Sequence, residues 1–201
     1  PGEDIPNGAL SLEFDDVDFS YVENEPLLNK MNFSLSAGKV LGVLGRTGSG
    51  KTTLTRLIFR LYDPSGGAIR LGGTDIRQAK VNHLRGRVAM VTQEVQLFKA
   101  TVRDNLTLFN RQIPDERILE VLHELGLTHW FESLPDGLDT ELESEGRGLS
   151  AGEAQLLAFT RVFLYDPGLV IMDEASSRLD PATEQLIEQA VAKLLQNRTA
   201  I

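Results

Sequence analysis

One eight-residue segment constrains the fold of this chain more than any other. Residues 45–52 read Gly-Arg-Thr-Gly-Ser-Gly-Lys-Thr and match the pattern G-x-x-x-x-G-K-[ST] in full. An apolar run at residues 40–44 precedes the segment, and a helix-like stretch at residues 53–62 follows it. A glycine-rich turn that matched the pattern by chance would not be expected to have a strand before it and a helix after it. The sequence therefore predicts a strand, a P-loop and a helix, in that order.

The P-loop pattern places hydrogen-bond donors around an anion. Glycine adopts backbone angles that other residues avoid, which lets successive backbone N–H groups point at one phosphate. The N-terminus of the following helix adds unsatisfied donors and the positive end of its dipole. We expect Lys51 to reach the β- and γ-phosphates of a nucleoside triphosphate and the Thr52 hydroxyl to bind Mg²⁺. The residues predicted to bind the nucleotide here are Gly45, Arg46, Thr47, Gly48, Ser49, Gly50, Lys51, Thr52 and Thr53.

Composition and charge limit the class of protein. The 201 residues suffice for one domain with a sizeable core, and 41% hydrophobic with 24% charged residues argues against a disordered or fibrous chain. The net charge of −9 argues against nucleic acid as the main partner, because that affinity rests on clustered lysine and arginine. The absence of cysteine excludes disulfides and thiolate metal sites.

The sequence predicts neither a membrane span nor a signal peptide. It contains no run of about 18 apolar residues, and its first residues lack a basic start followed by an apolar core. The chain has no initiator methionine and stops at the start of an apolar strand, at residues 199–201. Both ends are therefore interpreted as cuts in a longer protein.

The hydrophobic pattern predicts strands first and helices later. Residues 10–19 alternate apolar and polar with one slip, as in a half-buried strand. Further strands are predicted at residues 31–35, 68–71 and 88–91, and continuously apolar, doubly buried parallel strands at residues 40–44 and 169–172. Helices are predicted between Pro114 and Gly126 and at residues 150–165 and 181–195. The pattern indicates an α/β core interrupted by a helical insertion, with an antiparallel sheet from the N-terminal part.

Two acidic residues follow the last apolar strand. The run at residues 169–172 ends directly at Asp173 and Glu174. Ligands of α/β folds sit at the carboxyl edge of the sheet, so Asp173 is expected to hold Mg²⁺ and Glu174 to act as base for the attacking water. The alternative is a strand followed by an acidic residue that only caps a helix. The presence of a full P-loop in the same chain favours the catalytic interpretation.

Residues 149–153, Leu-Ser-Ala-Gly-Glu, resemble the signature motif of ATP-binding cassette (ABC) ATPases, whose family form is Leu-Ser-Gly-Gly-Gln. The motif stands between the helical insertion and the acidic strand end, as it does in that family. The resemblance implies that two cassettes pack head to tail and that each signature binds the γ-phosphate held by the P-loop of the other. Ser150 would cap the helix whose N-terminus faces that anion. The signature residues are Leu149, Ser150, Ala151, Gly152 and Glu153.

The same resemblance assigns roles elsewhere in the chain. It implies that Tyr21 stacks on adenine and that Gln93 contacts Mg²⁺ and the attacking water. It also implies a catalytic set of Glu174, Lys51 and Gln93, and a loop with Ser177 and Asp180 that crosses the dimer interface. Residues 60–64, 97–105 and 134–140 are similar to the exporter branch of the family.

Several positions depart from the family pattern. Ala151 replaces the first signature glycine, where a methyl group would crowd the phosphate. Glu153 replaces the signature glutamine, where a carboxylate would repel it. Residues 144–146 read Ser-Glu-Gly where exporters often carry Glu-Arg-Gly, and Arg178 stands where a small residue is usual. The switch histidine of the family would lie beyond residue 201.

The resemblance implies the following reading of the whole chain. The fold is α/β, a P-loop NTPase (RecA-like) core with an N-terminal antiparallel β subdomain and an inserted α-helical subdomain. Residues 1–201 form one ABC ATPase domain, with the β subdomain and core at about 8–94 and 167–201 and the helical subdomain at about 95–166. The domain would bind ATP and Mg²⁺, hydrolyse ATP, dimerise with a second cassette and drive an attached transmembrane domain of an exporter at the cytoplasmic face of a membrane. No nucleic acid is expected as a partner.

Two alternatives remain from the sequence. One is an ABC ATPase without transport, acting on DNA or ribosomes, against which the exporter-like residues 101–105 argue. The other is a regulatory cassette of low ATPase activity in an asymmetric heterodimer, which Ala151 and Glu153 favour and Glu174 opposes. The sequence does not specify the transported substrate, the direction of transport beyond the resemblance, or whether the partner cassette is identical.

Overall fold

The computed structural model describes residues 2–22, 25–46, 48–92, 95–143, 149–173 and 181–201, with residues 182 and 183 described in their backbone only. Its elements in chain order are β1 (Leu12–Phe19), β2 (Leu28–Leu35), α1 (Lys51–Ile58), β3 (Gly66–Leu71), β4 (Thr74–Asp75), α2 (Val81–Arg87), β5 (Val88–Val91), β6 (Ala100–Thr101), α3 (Val102–Thr107), α4 (Asp115–Glu124), α5 (Thr128–Glu132), β7 (Glu141–Leu142), α6 (Ala151–Tyr165), β8 (Leu169–Met172), α7 (Pro181–Leu195) and β9 (Thr199–Ala200). They fall into two compact units. The first comprises Pro1–Ala89, Pro167–Ile171 and Leu195–Ile201, and the second comprises Met90–Asp166 and Met172–Leu194.

The first unit contains an antiparallel sheet of four strands in the order β2-β1-β3-β4. The apolar side chains of the central strand β1, Leu12, Phe14 and Val17, are buried, and Phe14 stacks on Phe33 of β2 with ring centroids 4.6 Å apart. Alternation along β1 therefore separates a core face from a solvent face. The predicted antiparallel sheet in the N-terminal part is confirmed.

The slip in the alternation of β1 is a β-bulge. The register of β1 with β2 shifts between Phe14 and Val17, and Asp16 has a φ of 47°. Asn32 closes the bulge with two hydrogen bonds: its Oδ1 accepts from the Asp16 N–H at 2.9 Å, and its Nδ2 donates to Asp16 Oδ1 at 2.6 Å. The extra residue returns Val17 to the buried face, which keeps the core pattern intact.

A second sheet has the order β5-β8-β9, with β8 parallel to β9. Leu169 pairs with Thr199 and Val170 with Ala200, and all four residues are fully buried. A strand that is buried on both faces reads as a continuous apolar run. The predicted parallel strand at residues 169–172 is confirmed.

The prediction of another doubly buried strand at residues 40–44 is wrong for most of that run. Val40 makes a parallel bridge to Ala200, and the Leu41 N–H donates to the Ala200 carbonyl at 2.9 Å. The described residues show no strand pairing beyond Leu41, and Leu44 is 98% exposed. The apolar composition of residues 40–44 favours a strand but does not by itself determine the length of the paired segment.

The second unit is built mainly from helices. Helix α4 begins after Pro114 and is followed by Gly126 at a φ of 75°, as the sequence predicts. The longer helix α6 packs against α3 and α4. Buried apolar side chains of this unit include Val102, Leu106, Ile118, Leu122, Leu156 and Phe159. The predicted helices at residues 150–165 and 181–195 are confirmed as α6, with Ser150 as its N-cap, and α7.

A buried asparagine fixes the segment that leads into α3. The Asn105 side chain is 0% exposed, and its Oδ1 accepts from the Phe98 N–H at 2.8 Å. Its Nδ2 donates to the carbonyls of Phe98 at 2.9 Å and Thr101 at 3.1 Å. Arg161 of α6 donates to the Asn105 carbonyl at 2.8 Å and to the Gln96 carbonyl at 2.9 Å, which ties the same segment to α6.

Asn105→Ala is expected to lower the free energy of unfolding by about 2–4 kcal/mol, because it leaves the Phe98 N–H and several carbonyls without a partner in a buried place. Urea unfolding of the two proteins measures the difference. Asn82 lies exposed on α2, so Asn82→Ala serves as the matched control and should change stability by no more than about 0.5 kcal/mol. Equal stability of the Asn105 variant and the wild type would show that water replaces these bonds.

Candidate functional site

Two glycines shape the loop at residues 45–52. Gly48 has a φ of 83°, and Gly50, the N-cap of α1, has a φ of 94°. A side chain would be strained at both angles, so glycine is required for the turn. A Cβ on Gly45 would clash with the Ser49 Oγ, which shows how closely the loop folds onto itself. The sequence thus produces a tight, backbone-lined turn directly before a helix.

Helix α1 starts without a side-chain cap. Gly50 makes no cap hydrogen bond, and the first turn of the helix contains no acidic residue. The bond from the Leu54 N–H to the Gly50 carbonyl, at 3.0 Å, is the first of the helix. The N–H groups of Lys51, Thr52 and Thr53 therefore have no acceptor within the helix. Such an end, with its positive dipole, favours a bound anion.

The Lys51 ammonium lies over the same loop. Its Nζ donates to the carbonyls of Gly45 at 2.6 Å and Arg46 at 3.2 Å. These two bonds hold the cation over the glycine turn that precedes α1. A phosphate in the loop would meet both a fixed positive charge and oriented donors, a combination that binds phosphate strongly.

The two threonines that follow Lys51 differ in exposure. Thr52 is exposed and can offer its hydroxyl to a ligand or a metal ion. Thr53 is 4% exposed, and its Oγ1 lies 3.2 Å from the Tyr21 hydroxyl. The structure therefore brings the predicted base-stacking residue and the predicted phosphate-binding helix together within the first unit.

Tyr21 stands in a small aromatic cluster at the end of β1. Its ring meets Phe19 edge-on at 4.8 Å and Tyr62 edge-on at 5.3 Å between centroids. The side chain is nevertheless 44% exposed. Arg56 Nη1 donates to the Tyr21 hydroxyl at 3.1 Å, and the guanidinium carbon lies 5.8 Å from the ring centroid.

The sequence did not predict the role of Arg56. Thr53 and Arg56 are three residues apart on α1 and therefore lie on one helix face, a spacing that is visible in the sequence. That this face meets Tyr21 depends on the fold, since 35 residues separate Tyr21 from Arg56. The hydrogen bond with Thr53, and to a smaller extent Arg56, lowers the pKa of Tyr21, while the bond to Tyr21 raises the pKa of Arg56.

Asp173 follows β8 directly, as predicted, and is exposed. Its backbone N–H donates to the Val91 carbonyl at 2.9 Å, which fixes the end of the strand. Within the described ranges, no group of three or more histidine, cysteine, aspartate or glutamate side chains could hold a metal ion. The predicted Mg²⁺ ligands are mixed in type, a threonine, a glutamine and one aspartate, and that set remains a prediction.

The signature residues form the start of α6. Ser150 is its N-cap: the Ser150 Oγ accepts from the Glu153 N–H at 3.2 Å, and Glu153 Oε2 accepts from the Ser150 N–H at 2.7 Å. This reciprocal pair is a capping box. Leu149 is half-buried, Ala151 exposed and Gly152 buried. Glu153 thus places a negative charge at the helix end where the resemblance expects a phosphate.

Five predicted site residues and two departures lie outside the described residues. The site residues are Thr47, Gln93, Glu174, Ser177 and Asp180, and the departures are residues 144–146 and Arg178. Their roles stay predictions from the resemblance.

A left-handed glycine turn, an uncapped helix and a lysine at the first helical position define the class of P-loop nucleotide-binding proteins. Within that class, a family model described as ABC transporter matches residues 28–177. The chain therefore belongs to the ABC transporter family, whose cassettes bind ATP.

The proteins that the chain is similar to include a lipid flippase, a multidrug efflux protein and an exporter of known structure. The chain is 41% identical to an ATP-dependent lipid A-core flippase of Desulfotalea psychrophila. The 189 aligned residues cover 94% of this chain and 33% of that protein. It is 39% identical over 199 residues to a multidrug efflux ATP-binding/permease protein of Mycobacterium bovis, covering 98% of this chain and 17% of that one. Its fold is similar to a bacterial Atm1-family ABC exporter with ATP bound, at a TM-score of 0.84 and 32% identity, over 100% of this chain and 36% of that chain. The resemblance to the exporter branch is confirmed.

The chain spans about a third of the length of most of the curated relatives compared with it, 32% and 33% in two of them. In the part of the chain that the structure describes, no helix is long and apolar enough to cross a bilayer.

Proposed function

We propose that this chain is the ATP-hydrolysing domain of an ABC exporter, converting ATP and water to ADP and phosphate to drive transport. The observation that carries the proposal is the loop at residues 45–52, where two loop carbonyls hold the Lys51 Nζ next to the start of α1, a helix whose first N–H groups have no acceptor within the helix. Transport would come from a transmembrane domain on the same or another chain, with the cassette at the cytoplasmic face of the membrane.

In the proposed site, the Lys51 ammonium and the loop amides bind the phosphates and stabilise the charge that develops on the γ-phosphate. Tyr21 stacks on the base. The oxygens of Thr52, Gln93 and Asp173 are of the kind that Mg²⁺ prefers, and both described members of that set are exposed. Bound Mg²⁺ would neutralise phosphate charge. Glu174 would accept the proton of the attacking water.

The proposal includes a second cassette, identical or related, packed head to tail. The end of α6 at Ser150 would then face the γ-phosphate bound by the partner, with Ser177 and Asp180 at the interface. Residues 95–166, which contain α3 to α6, would form the inserted helical subdomain, and residues 8–94 and 167–201 the β subdomain and core.

Solution mass with and without MgATP tests this proposal, in the chain extended to the length of the cassette in its relatives. We expect MgATP to bind and to shift a monomer toward a dimer. Titration calorimetry separates the two events, because ATP binding precedes association. A protein that binds no ATP would overturn the proposal. Binding without association would restrict it to a cassette that needs a different partner.

Glu153→Gln is expected to strengthen the MgATP-dependent dimer by about three- to tenfold, because glutamine keeps the capping box but removes a charge from the site proposed for the γ-phosphate. Sedimentation analysis of the dissociation constant measures the effect. MgATP affinity of the monomer should not change.

Glu116→Gln is the matched control for Glu153→Gln. Glu116 lies in the first turn of α4 and is exposed, so its replacement removes the same charge from another helix start. An equal effect of both variants would mean that net charge, and not the signature, limits association.

A further inference from the structure

Helix α1 contacts Tyr21 through two side chains on one of its faces. The Tyr21 hydroxyl lies 3.1 Å from Arg56 Nη1 and 3.2 Å from Thr53 Oγ1. A guanidinium can only donate, so the phenol oxygen accepts from Arg56. In the contact with Thr53 either hydroxyl can donate. Both contacts hold the hydroxyl end of the ring.

Apart from these contacts, the ring of Tyr21 is only partly enclosed. Tyr21 follows the end of β1, and 44% of its surface is exposed. The edge-on neighbours Phe19 and Tyr62 restrict the ring from the side, but Tyr62 is itself 45% exposed. Thr53 is 4% exposed and sits in the first turn of α1, so it is the rigid member of the set.

We propose that Thr53 and Arg56 are positioning residues for the nucleobase, because they hold the Tyr21 ring against α1 in the orientation in which a base stacks on it. The inference rests on the proposed function, in which Tyr21 carries the base. Helix α1 then supports both ends of the nucleotide: its N-terminus faces the phosphates, and the Thr53–Arg56 face orients the stacking ring.

A preset ring raises affinity because less side-chain freedom is lost when the base binds. Removal of either hydrogen-bond partner should therefore weaken binding of a nucleotide with a base. It should leave binding of a phosphate chain without a base unchanged. This separation distinguishes positioning from a general effect of the Arg56 charge, which would attract any polyphosphate.

The test is the binding of MgATP and of magnesium tripolyphosphate, measured by calorimetry on the full-length protein. We expect Arg56→Met to weaken MgATP binding by about three- to tenfold and to leave tripolyphosphate affinity unchanged. Tyr21→Phe should give a similar loss, since the ring stays and the hydroxyl goes. Arg56→Lys, which keeps a donor, should recover part of the affinity.

The double variant completes the test. If Arg56 acts through the phenol, Tyr21→Phe with Arg56→Met should bind MgATP no more weakly than the weaker single variant. Additive losses, or an equal loss of tripolyphosphate affinity, would overturn the inference. Thermal unfolding checks that the exposed Arg56 side chain is not needed for the fold.

Tyr21→Ala distinguishes failure of the inference from failure of the proposed function. Loss of the stacking ring should weaken MgATP binding by roughly tenfold or more without changing tripolyphosphate binding. If Tyr21→Ala has no effect while the wild type binds MgATP, the base does not stack on Tyr21 and the inference fails, whereas the proposed function fails only if the wild type binds no MgATP. If Tyr21→Ala weakens binding and Arg56→Met does not, only the positioning role is wrong.

Discussion

Replacement of Lys51 by alanine is expected to weaken MgATP binding by about ten- to a hundredfold. The Nζ is already held at the mouth of the loop by the carbonyls of Gly45 and Arg46, so the cation needs little rearrangement to meet a phosphate. A hydrogen bond with a charged partner contributes roughly 1.5–3 kcal/mol, which corresponds to that range of affinity. Calorimetric titration with MgATP measures the loss.

Lys39→Ala is the matched control for Lys51→Ala. Lys39 is an exposed lysine of the same unit, and its removal changes the net charge equally. We expect MgATP affinity within about twofold of the wild type for this variant, since exposed charges are screened by salt. If Lys51→Ala binds MgATP as tightly as Lys39→Ala does, the P-loop role assigned to this lysine is wrong.

The phosphate loop was predictable because its residues act mainly through their own backbone. Gly48 and Gly50 adopt the positive φ angles that only glycine takes without strain, and a helix follows the loop as predicted, although α1 (Lys51–Ile58) begins two residues before and ends four residues before the predicted stretch at 53–62. The buried positions of β1 were predictable for a similar reason, since alternation follows from strand geometry. Even the single slip in that alternation marks a real bulge, at Asp16.

Features that depend on a distant neighbour were not predictable. Residues 40–44 resemble residues 169–172 in apolar composition, yet within the described residues their pairing stops at Leu41. Arg56 has no signal of its own, since its contact with Tyr21 exists only because β1 ends beside α1. The sequence shows that Arg56 lies on the same helix face as Thr53. It does not show that this face meets Tyr21.

The structure of the signature motif was only partly predictable from the sequence. The spacing of Ser150 and Glu153 is itself a capping-box pattern, so the closed helix end could have been predicted from sequence. The charge of Glu153 alone indicates only repulsion toward a phosphate. The structure adds that the carboxylate is bonded to the Ser150 N–H, which keeps the charge at the helix end. Both the helix stability and the proposed charge effect follow from one side chain.

Glu174→Gln is expected to lower ATP turnover by about a hundredfold or more while MgATP binding is retained. Removal of a general base typically costs a factor of about 10²–10⁴, and glutamine matches the shape of glutamate without accepting the proton of the water. Glu174 follows Asp173 at the end of β8, and its role rests on the family resemblance. Phosphate release by the full-length protein measures turnover, and a nucleotide-bound dimer should accumulate because hydrolysis no longer ends that state.

Glu184→Gln, which removes an exposed first-turn glutamate of α7, is the matched control and should turn over ATP at the wild-type rate. Turnover of Glu174→Gln within about threefold of that control would place the base on another residue, because a positioned base contributes far more than that factor.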